Sequence, residues 1–471
     1  ARLGGEELEL QVGAGERVGD CRPRLAALLG ADAGRFDLAL LCGAEVLRDE
    51  QQVCALPGRR LQAVVSKRTS LGPLGPEMPG AVKYQAAGVL ASTGDIYVAP
   101  YNAAQVLRID PEGHSVEALG PELEGNAKFY AGGLLAPSGR IYFAPYQAGR
   151  VLCVDPASRT VELLGPEMRG NRKYAARGVL APNGRAFFAP YNAAQVLCVD
   201  TEAHETALLG APMAGMRKYA AAGVLAPGGL VFFAPYNAEH VLCIEPEGQA
   251  VRAFGLPLSG PDKYFAGGVL ASDGRIYFAP YQAPRVLRVD PGAGAPELME
   301  PALPGDCRYL ADGALAPSGE AYFAPYGAGR VLCVQPGAGG PELLGPEIAG
   351  DCKYFAGGVL GPNGWIYFAP YNAPWVLCIE PGEKGVGIPG GDMPGHMKYA
   401  AGGVLAPNGR IYFAPYNTGA VLCIDPWEQT VELVPTDLSG ASKYSAGGTR
   451  AGNGRIYFPP SSAPRALAVD A

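Results

Sequence analysis

Residues 353–397 read KYFAGGVLGPNGWIYFAPYNAPWVLCIEPGEKGVGIPGGDMPGHM, and Lys398-Tyr399 begins the same phrase again. The opening cation, followed by Tyr or Phe, recurs at Lys83, Lys128, Lys173, Lys218, Lys263, Arg308, Lys353, Lys398 and Lys443, a step of 45 residues with no insertion or deletion. A fixed period of this size marks a repeat architecture whose units stack to bury a common core. In the unit that starts at Lys398, four short apolar segments (402–406, 410–416, 421–425 and 431–434) stand between turn signals. Four strands in roughly 45 residues predict one blade of a β-propeller. Segments such as Ile411-Tyr412-Phe413-Ala414 are apolar throughout. Both faces of each sheet are therefore covered, as when blades pack face to face.

The first turn of each unit carries Gly at 94, 139, 184, 229, 274, 319, 364, 409 and 454, preceded in five units by Asn or Asp. That pairing predicts a two-residue hairpin with positive φ. Ala at 86 and Gly at 88 also recur every 45 residues. This strand is expected to line the propeller axis, where crowded backbones would exclude a larger side chain. The phrase G-V-L-A-P-N-G-R-I-Y-F-A-P-Y-N-A-x-x-V-L-C-I-D-P resembles the propeller repeats of the NHL and YVTN type over residues 83–471. Those families serve diverse functions, so the resemblance implies the fold and little else.

Eight complete units run from 83 to 442, and the ninth, from Lys443, stops after its third strand. Its missing fourth strand is expected from residues 70–78, SLGPLGPEM, which align with TVELLGPEM at 160–168. The expectation is a mainly β fold: a closed propeller of nine four-stranded blades, its two open edges removed by this shared blade. The alternative is eight blades with the last unit packed outside.

Residues 1–66 do not follow the period. A strand at 8–12, a helix at 20–29 capped by Asp20, strands at 38–42 and 61–65, and a turn with a short edge strand at 43–47 are expected. That order is similar to a small α+β ubiquitin-like β-grasp domain, although the usual first strand is reduced and no terminal Gly-Gly is present. Residues 67–82 then form a linker and the closing strand, and 83–471 the propeller. The small domain reads either as a protein-docking module or as an N-terminal cap.

A formal net charge of −7 without any basic block excludes an ordinary nucleic-acid binder. No apolar run approaches the roughly 18 residues of a membrane helix. Six of the 11 cysteines (Cys153, Cys198, Cys243, Cys333, Cys378 and Cys423) share one repeat position. Neighbouring sheets stand about 10 Å apart, too far for a disulfide, so these read as small buried residues. With no N-x-S/T sequon, an intracellular, reducing compartment is expected, and a removed targeting segment remains compatible with Ala1 as first residue.

Two connections are expected to meet on one propeller face. One carries the nine cations. The other carries Tyr101-Asn102, Tyr146-Gln147, Tyr191-Asn192, Tyr236-Asn237, Tyr281-Gln282, Tyr371-Asn372 and Tyr416-Asn417, with Tyr326-Gly327 and Ser461-Ser462 as weaker copies. Aromatic rings stack on partners, amides fix orientation, and clustered cations favour an anionic ligand. The competing reading is that a group present in every blade is a packing device. Glu77, Glu122, Glu167, Glu347, Asp392 and Asp437, six residues before their Lys, then serve as its acidic partners. Arg177 and Asp312 break a column of Ala and Gly on the axial strand, three units apart, and mark a candidate channel site. The four histidines, His114, His204, His240 and His396, form no metal-ligand spacing, and no metal, cofactor or catalytic constellation is expected. Acids after the third strand, such as Asp155 and Asp425, read as turn residues.

The expected role is a non-catalytic protein-binding or scaffold protein, compatible with a subunit of a larger assembly, docking a protein partner through its Lys/Tyr/Asn face. The alternative is a propeller enzyme of lyase or lactonase type acting on a small anionic ligand or sugar in the channel.

Overall fold

The computed structural model describes residues 70–337 and 339–471, together with the backbone of three earlier strands. Two compact units are present; residues 1–72 and 469–471 fall in the first and 73–468 in the second. In the first unit, Phe36–Cys42 is the central strand of an antiparallel sheet. It pairs with Gln62–Lys67 from Phe36↔Lys67 to Leu41↔Gln62 and with Glu45–Val46 through Leu41↔Val46. The strand expected at 8–12 and the helix at 20–29 lie outside the described residues.

Nine four-stranded antiparallel sheets follow, the blades of a β-propeller, numbered from the repeat at Lys83. Blade 2 is typical. Leu134–Leu135, Ile141–Phe143, Val151–Asp155 and Thr160–Leu164 pair in chain order. Among the described residues no helix forms, so none is long and apolar enough to cross a membrane. Blade 9 departs from chain order: Thr449–Arg450, Ile456–Phe458 and Ala466–Asp470 are followed by Ser70–Leu74 as fourth strand.

The second and third strands are buried on both faces, and each core cluster joins two neighbouring blades. One such cluster unites Ile96, Val98 and Leu107 of blade 1 with Tyr457 and Ala466 of blade 9. The contacts between these two blades repeat those between the others. Lys83 N donates to Ser461 O at 2.9 Å, as Lys128 N does to Tyr101 O. Tyr457 Oη reaches Pro111 O, as Tyr367 Oη reaches Pro426 O. Thr449 Oγ1 adds a bond to Gly88 O at 2.9 Å.

The hairpin glycines have φ between 76° and 102°, the left-handed region their spacing predicts. The second glycine column is crowded mainly from within its own blade, and at Gly223 and Gly313 also by Val179 and Val269 of the neighbouring axial strand, at 2.7 and 2.6 Å from an added Cβ. A Cβ on Gly133, Gly178 or Gly268 would stand 2.4–2.5 Å from the ring of Phe143, Phe188 or Phe278 in the second strand of its own blade. At these three positions the excluded volume lies inside the blade. First strands are accordingly short, Val404–Leu405 where 402–406 was expected. They still adjoin their neighbours around the axis, as in blades 5, 6, 7 and 8.

All six cysteines of the shared column are buried free thiols. The repeated acids cap turns as expected. Asp155 Oδ1 accepts from Ala157 N and Ser158 N, while its Oδ2 takes Arg140 Nε at 3.2 Å.

Candidate functional site

The connections expected to form one face do meet, but their residues divide into two kinds. The cations are buried, each at most 6% exposed. Every lysine turns its ammonium back onto the carbonyl of a glycine three residues earlier. Lys83, Lys128, Lys173, Lys218, Lys263, Lys398 and Lys443 do so at 2.6–2.9 Å, and Lys353 likewise on Gly350. These glycines hold φ of 87–100°, in the left-handed region that glycine adopts readily. Lys83 also reaches Ala463 O at 2.7 Å and Lys173 reaches Gln147 O. Arg308 replaces this with bonds to Leu303, Pro304, Gln282 and Ala283 carbonyls. Burial lowers the pKa of each lysine, and the neutral carbonyls do not reverse the shift.

The acids expected as partners of these lysines act on them at a distance at most, as Glu167 does on Lys173 and Glu347 on Lys353. Among the described residues none of the six carboxylates forms a direct ion pair with its lysine; Glu167 faces Arg150 at 3.5 Å and Glu77 faces Arg465 at 3.4 Å. Spacing of six residues places the acid on the outer side of the loop while the lysine turns in.

The asparagines also work between blades. Oδ1 of Asn102, Asn192, Asn237, Asn372 and Asn417 accepts the backbone N–H of Ala127, Arg217, Asp262, Met397 and Ser442, at 2.7–2.9 Å. Each of these donors has positive φ, 49–56°, and precedes the next blade's cation. Gln282 instead gives its amide to Cys307 Sγ, and Gln147 bonds through its backbone N to Ala127 O.

The tyrosine rings are half-buried on this face, except Tyr236, which is buried; Gln147 beside them is exposed. Tyr236, Tyr281 and Tyr326 follow one another at 6.4 and 6.5 Å between ring centroids, and Tyr371 and Tyr416 at 6.4 Å. Phe355 bridges Tyr326 and Tyr371, stacked 5.2 Å from the latter. Tyr130 wedges likewise between Tyr101 and Tyr146. Arg217 spans the interval from Tyr191 to Tyr236: its guanidinium donates to Tyr191 Oη at 3.2 Å and Tyr236 Oη at 3.0 Å and lies over the Tyr236 ring. In blade 9 the tyrosine position is the buried Ser461, and the position of Tyr130 and Phe355 is Ser445, so the aromatic arc is interrupted there. Burial, joined by neighbouring phenols, raises Tyr146 to about 12, and burial with Asp262 raises Tyr236 to about 12. These hydroxyls stay protonated and both give and accept hydrogen bonds.

Sequence reading missed Tyr130, Phe265 and Phe355 because their column holds Ala, Leu, Gln and Ser elsewhere. It also missed Arg450, which stands in the axial leucine column and donates to Leu405 O. Arg177 and Asp312 are both exposed. Asp312 Oδ1 accepts Gly267 N at 2.6 Å, a bond to the segment just before the first strand of the neighbouring blade.

No family model matches the chain, and no curated protein does. Among solved structures it is similar to virginiamycin B lyase from Staphylococcus aureus, at 12% identity over 73% of this chain and 94% of the other, TM-score 0.42. A streptogramin B lyase shares 12% identity over 85% and 97%, TM-score 0.44. A candidate 6-phosphogluconolactonase from Bacteroides uniformis shares 18% over 64% and 93%, TM-score 0.39.

Proposed function

We propose that this protein is a non-catalytic binding protein that docks a protein partner on the tyrosine arc. The observation that carries the reading is the run of rings from Tyr236 through Tyr281, Tyr326 and Phe355 to Tyr371 and Tyr416. Tyrosine offers a large, stiff surface with a hydroxyl at its edge, which suits an interface more than a catalytic centre. The buried cations and bonded amides hold that surface in place.

The test is affinity isolation of the intact protein beside a variant carrying Tyr281→Ser, Tyr326→Ser and Tyr371→Ser. A stoichiometric partner present with the parent and lost with the variant is expected. A partner kept by that variant overturns the reading. The second reading is an enzyme of lyase or lactonase type acting on an anionic ligand in the channel. It draws on the exposed Arg177 and Arg450 beside the axial strands. Under it, Arg177→Ala or Arg450→Ala abolishes binding of a small anion and the tyrosine variant does not.

The same proposal takes the propeller as closed, with residues 67–82 as linker and closing strand and residues 1–66 as a ubiquitin-like docking module. The bonds from blade 9 to blade 1 and the antiparallel sheet at 36–67 support it. Deleting 69–76 is expected to lower the thermal midpoint by several degrees; an unchanged midpoint argues against closure.

A further inference from the structure

Outside the tyrosine arc, one cluster of three different donor types stands at the seam between blades 2 and 3. Cys153 and Glu162 are directly opposed on the third and fourth strands of blade 2. His204 comes from the turn between the third and fourth strands of blade 3, at φ +58°. Sγ of Cys153, a carboxylate oxygen of Glu162 and a ring nitrogen of His204 all lie within 4.8 Å of one another. The thiol is buried, the carboxylate is exposed, and the imidazole lies between, so the cluster opens to solvent on the Glu162 side.

The ring nitrogens are already oriented. Nε2 of His204 lies 2.8 Å from Glu162 Oε1, and Nδ1 lies 2.9 Å from the hydroxyl of Tyr142. A metal-bound histidine needs its other nitrogen held by an outer hydrogen bond, and Tyr142 Oη stands ready to accept one. Scattered as the histidines are in the chain, His114 and His204 take the same place in blades 1 and 3, yet only His204 faces a thiol; across the seam from His114, blade 9 has Ala468 where blade 2 has Cys153, and His114 lies against Arg455.

The repeat supplies its own control. At the seam between blades 6 and 7 the same three places hold Cys333, Glu342 and Lys384, with Cys333 and Glu342 again opposed. Lys384 Nζ lies 2.7 Å from Glu342 Oε2, from a residue that also has positive φ. There the chain puts its own cation beside the carboxylate and the thiol. At blades 2 and 3 a neutral ligand takes the place of that ammonium.

We propose that Cys153, Glu162 and His204 bind a divalent ion of intermediate softness, of the zinc and cobalt class, with water as fourth ligand. Thiolate, imidazole and carboxylate form the donor set such ions take, whereas magnesium and calcium prefer oxygen alone. Binding forms the metal–sulfur bond as the thiol proton leaves to solvent; no redox step is involved.

The test uses the reduced, chelator-treated full chain titrated with Co²⁺. A sulfur-to-cobalt charge-transfer band in the near ultraviolet is expected, saturating at one ion per chain. His204→Gln weakens binding by at least about tenfold, the scale of losing a ligand contact. Gln occupies the same place at 249 and 429, so that variant keeps the fold. Cys153→Ala removes the band. Lys384→His creates a second thiol–carboxylate–imidazole set, and the stoichiometry rises to two. Absence of the band in the parent protein, or its persistence in both Cys153→Ala and His204→Gln, overturns the assignment.

Discussion

Blades 1 and 2 fill one buried position with opposite chemistry. Blade 2 places the thiol of Cys153 in its third strand and keeps its ion pair, Arg140 with Asp155, at the partly exposed turn. Blade 1 places Arg108 in the third strand and Asp95 where blade 2 has Arg140. Arg108, with 5% of its side chain exposed, reaches Asp95 and Glu117 at 2.7 Å and Asp110 at 3.3 Å. Burial lowers its pKa, and the bonds to Asp95 and Glu117 more than offset that, leaving it raised. A buried charge is tolerated when its partners arrive with it. In blade 1 the guanidinium thus stands inside and a carboxylate holds the outer place, whereas blade 5 keeps Arg275 outside and pairs its inner Arg288 with Glu297.

Breaking the blade 1 pair gives the largest expected effect. Arg108→Cys copies blade 2 but leaves Asp95 buried beside other acids, for a loss of about 3–5 kcal/mol. Adding Asp95→Arg completes the copy and is expected to recover most of it. Chemical denaturation of both variants decides this; no recovery in the double variant ends the idea of a matched pair. Next comes Gly268→Ala, whose Cβ meets the Phe278 ring at 2.5 Å. Overpacking of this kind costs about 1–3 kcal/mol, read as a lower thermal midpoint; a neutral result would return the glycine column to the axis. Asn237→Ala removes one bond across a blade seam, about 1 kcal/mol. Tyr281→Ser on the surface arc is expected to cost less than that, which separates the packing columns from the docking one.

The smallest effect is a pH slope. Burial lifts the Cys153 thiol from 9.0 to about 12. A raised folded pKa means its contribution is whole below pH 9 and is lost as pH climbs towards 12. Blade 1 has no thiol there. In the chelator-treated, metal-free protein Cys153→Ala should therefore flatten the fall in thermal midpoint between pH 8 and pH 11, and an unaltered slope would show that other groups govern that limb.

Much of this was legible in the chain. A 45-residue step without a slip determines strand number per blade, and Asn-Gly before an apolar run specifies a hairpin whatever surrounds it. The spare strand at 70–78 could be matched because its neighbours keep the same register. Less visible was direction. Spacing put Glu167 near Lys173 along the loop, but not that the lysine turns inward to Gly170 O while the acid meets Arg150. Nor does a column of asparagines disclose that each one caps the N–H of a left-handed residue in the next blade. His204 meets Cys153 across a seam, from a different repeat, where linear spacing says nothing.

The strand at Ser70–Leu74 completes a sheet whose other three members come from residues 449–470. During synthesis it must therefore wait, solvated and without its partner, until nearly the whole propeller has left the ribosome. Joining segments so far apart carries an entropic cost that grows only slowly with the length between them. Blade 9 is then the last sheet to assemble. A chain interrupted before residue 466 is left with an exposed edge and a free strand, two features that quality-control machinery can recognise.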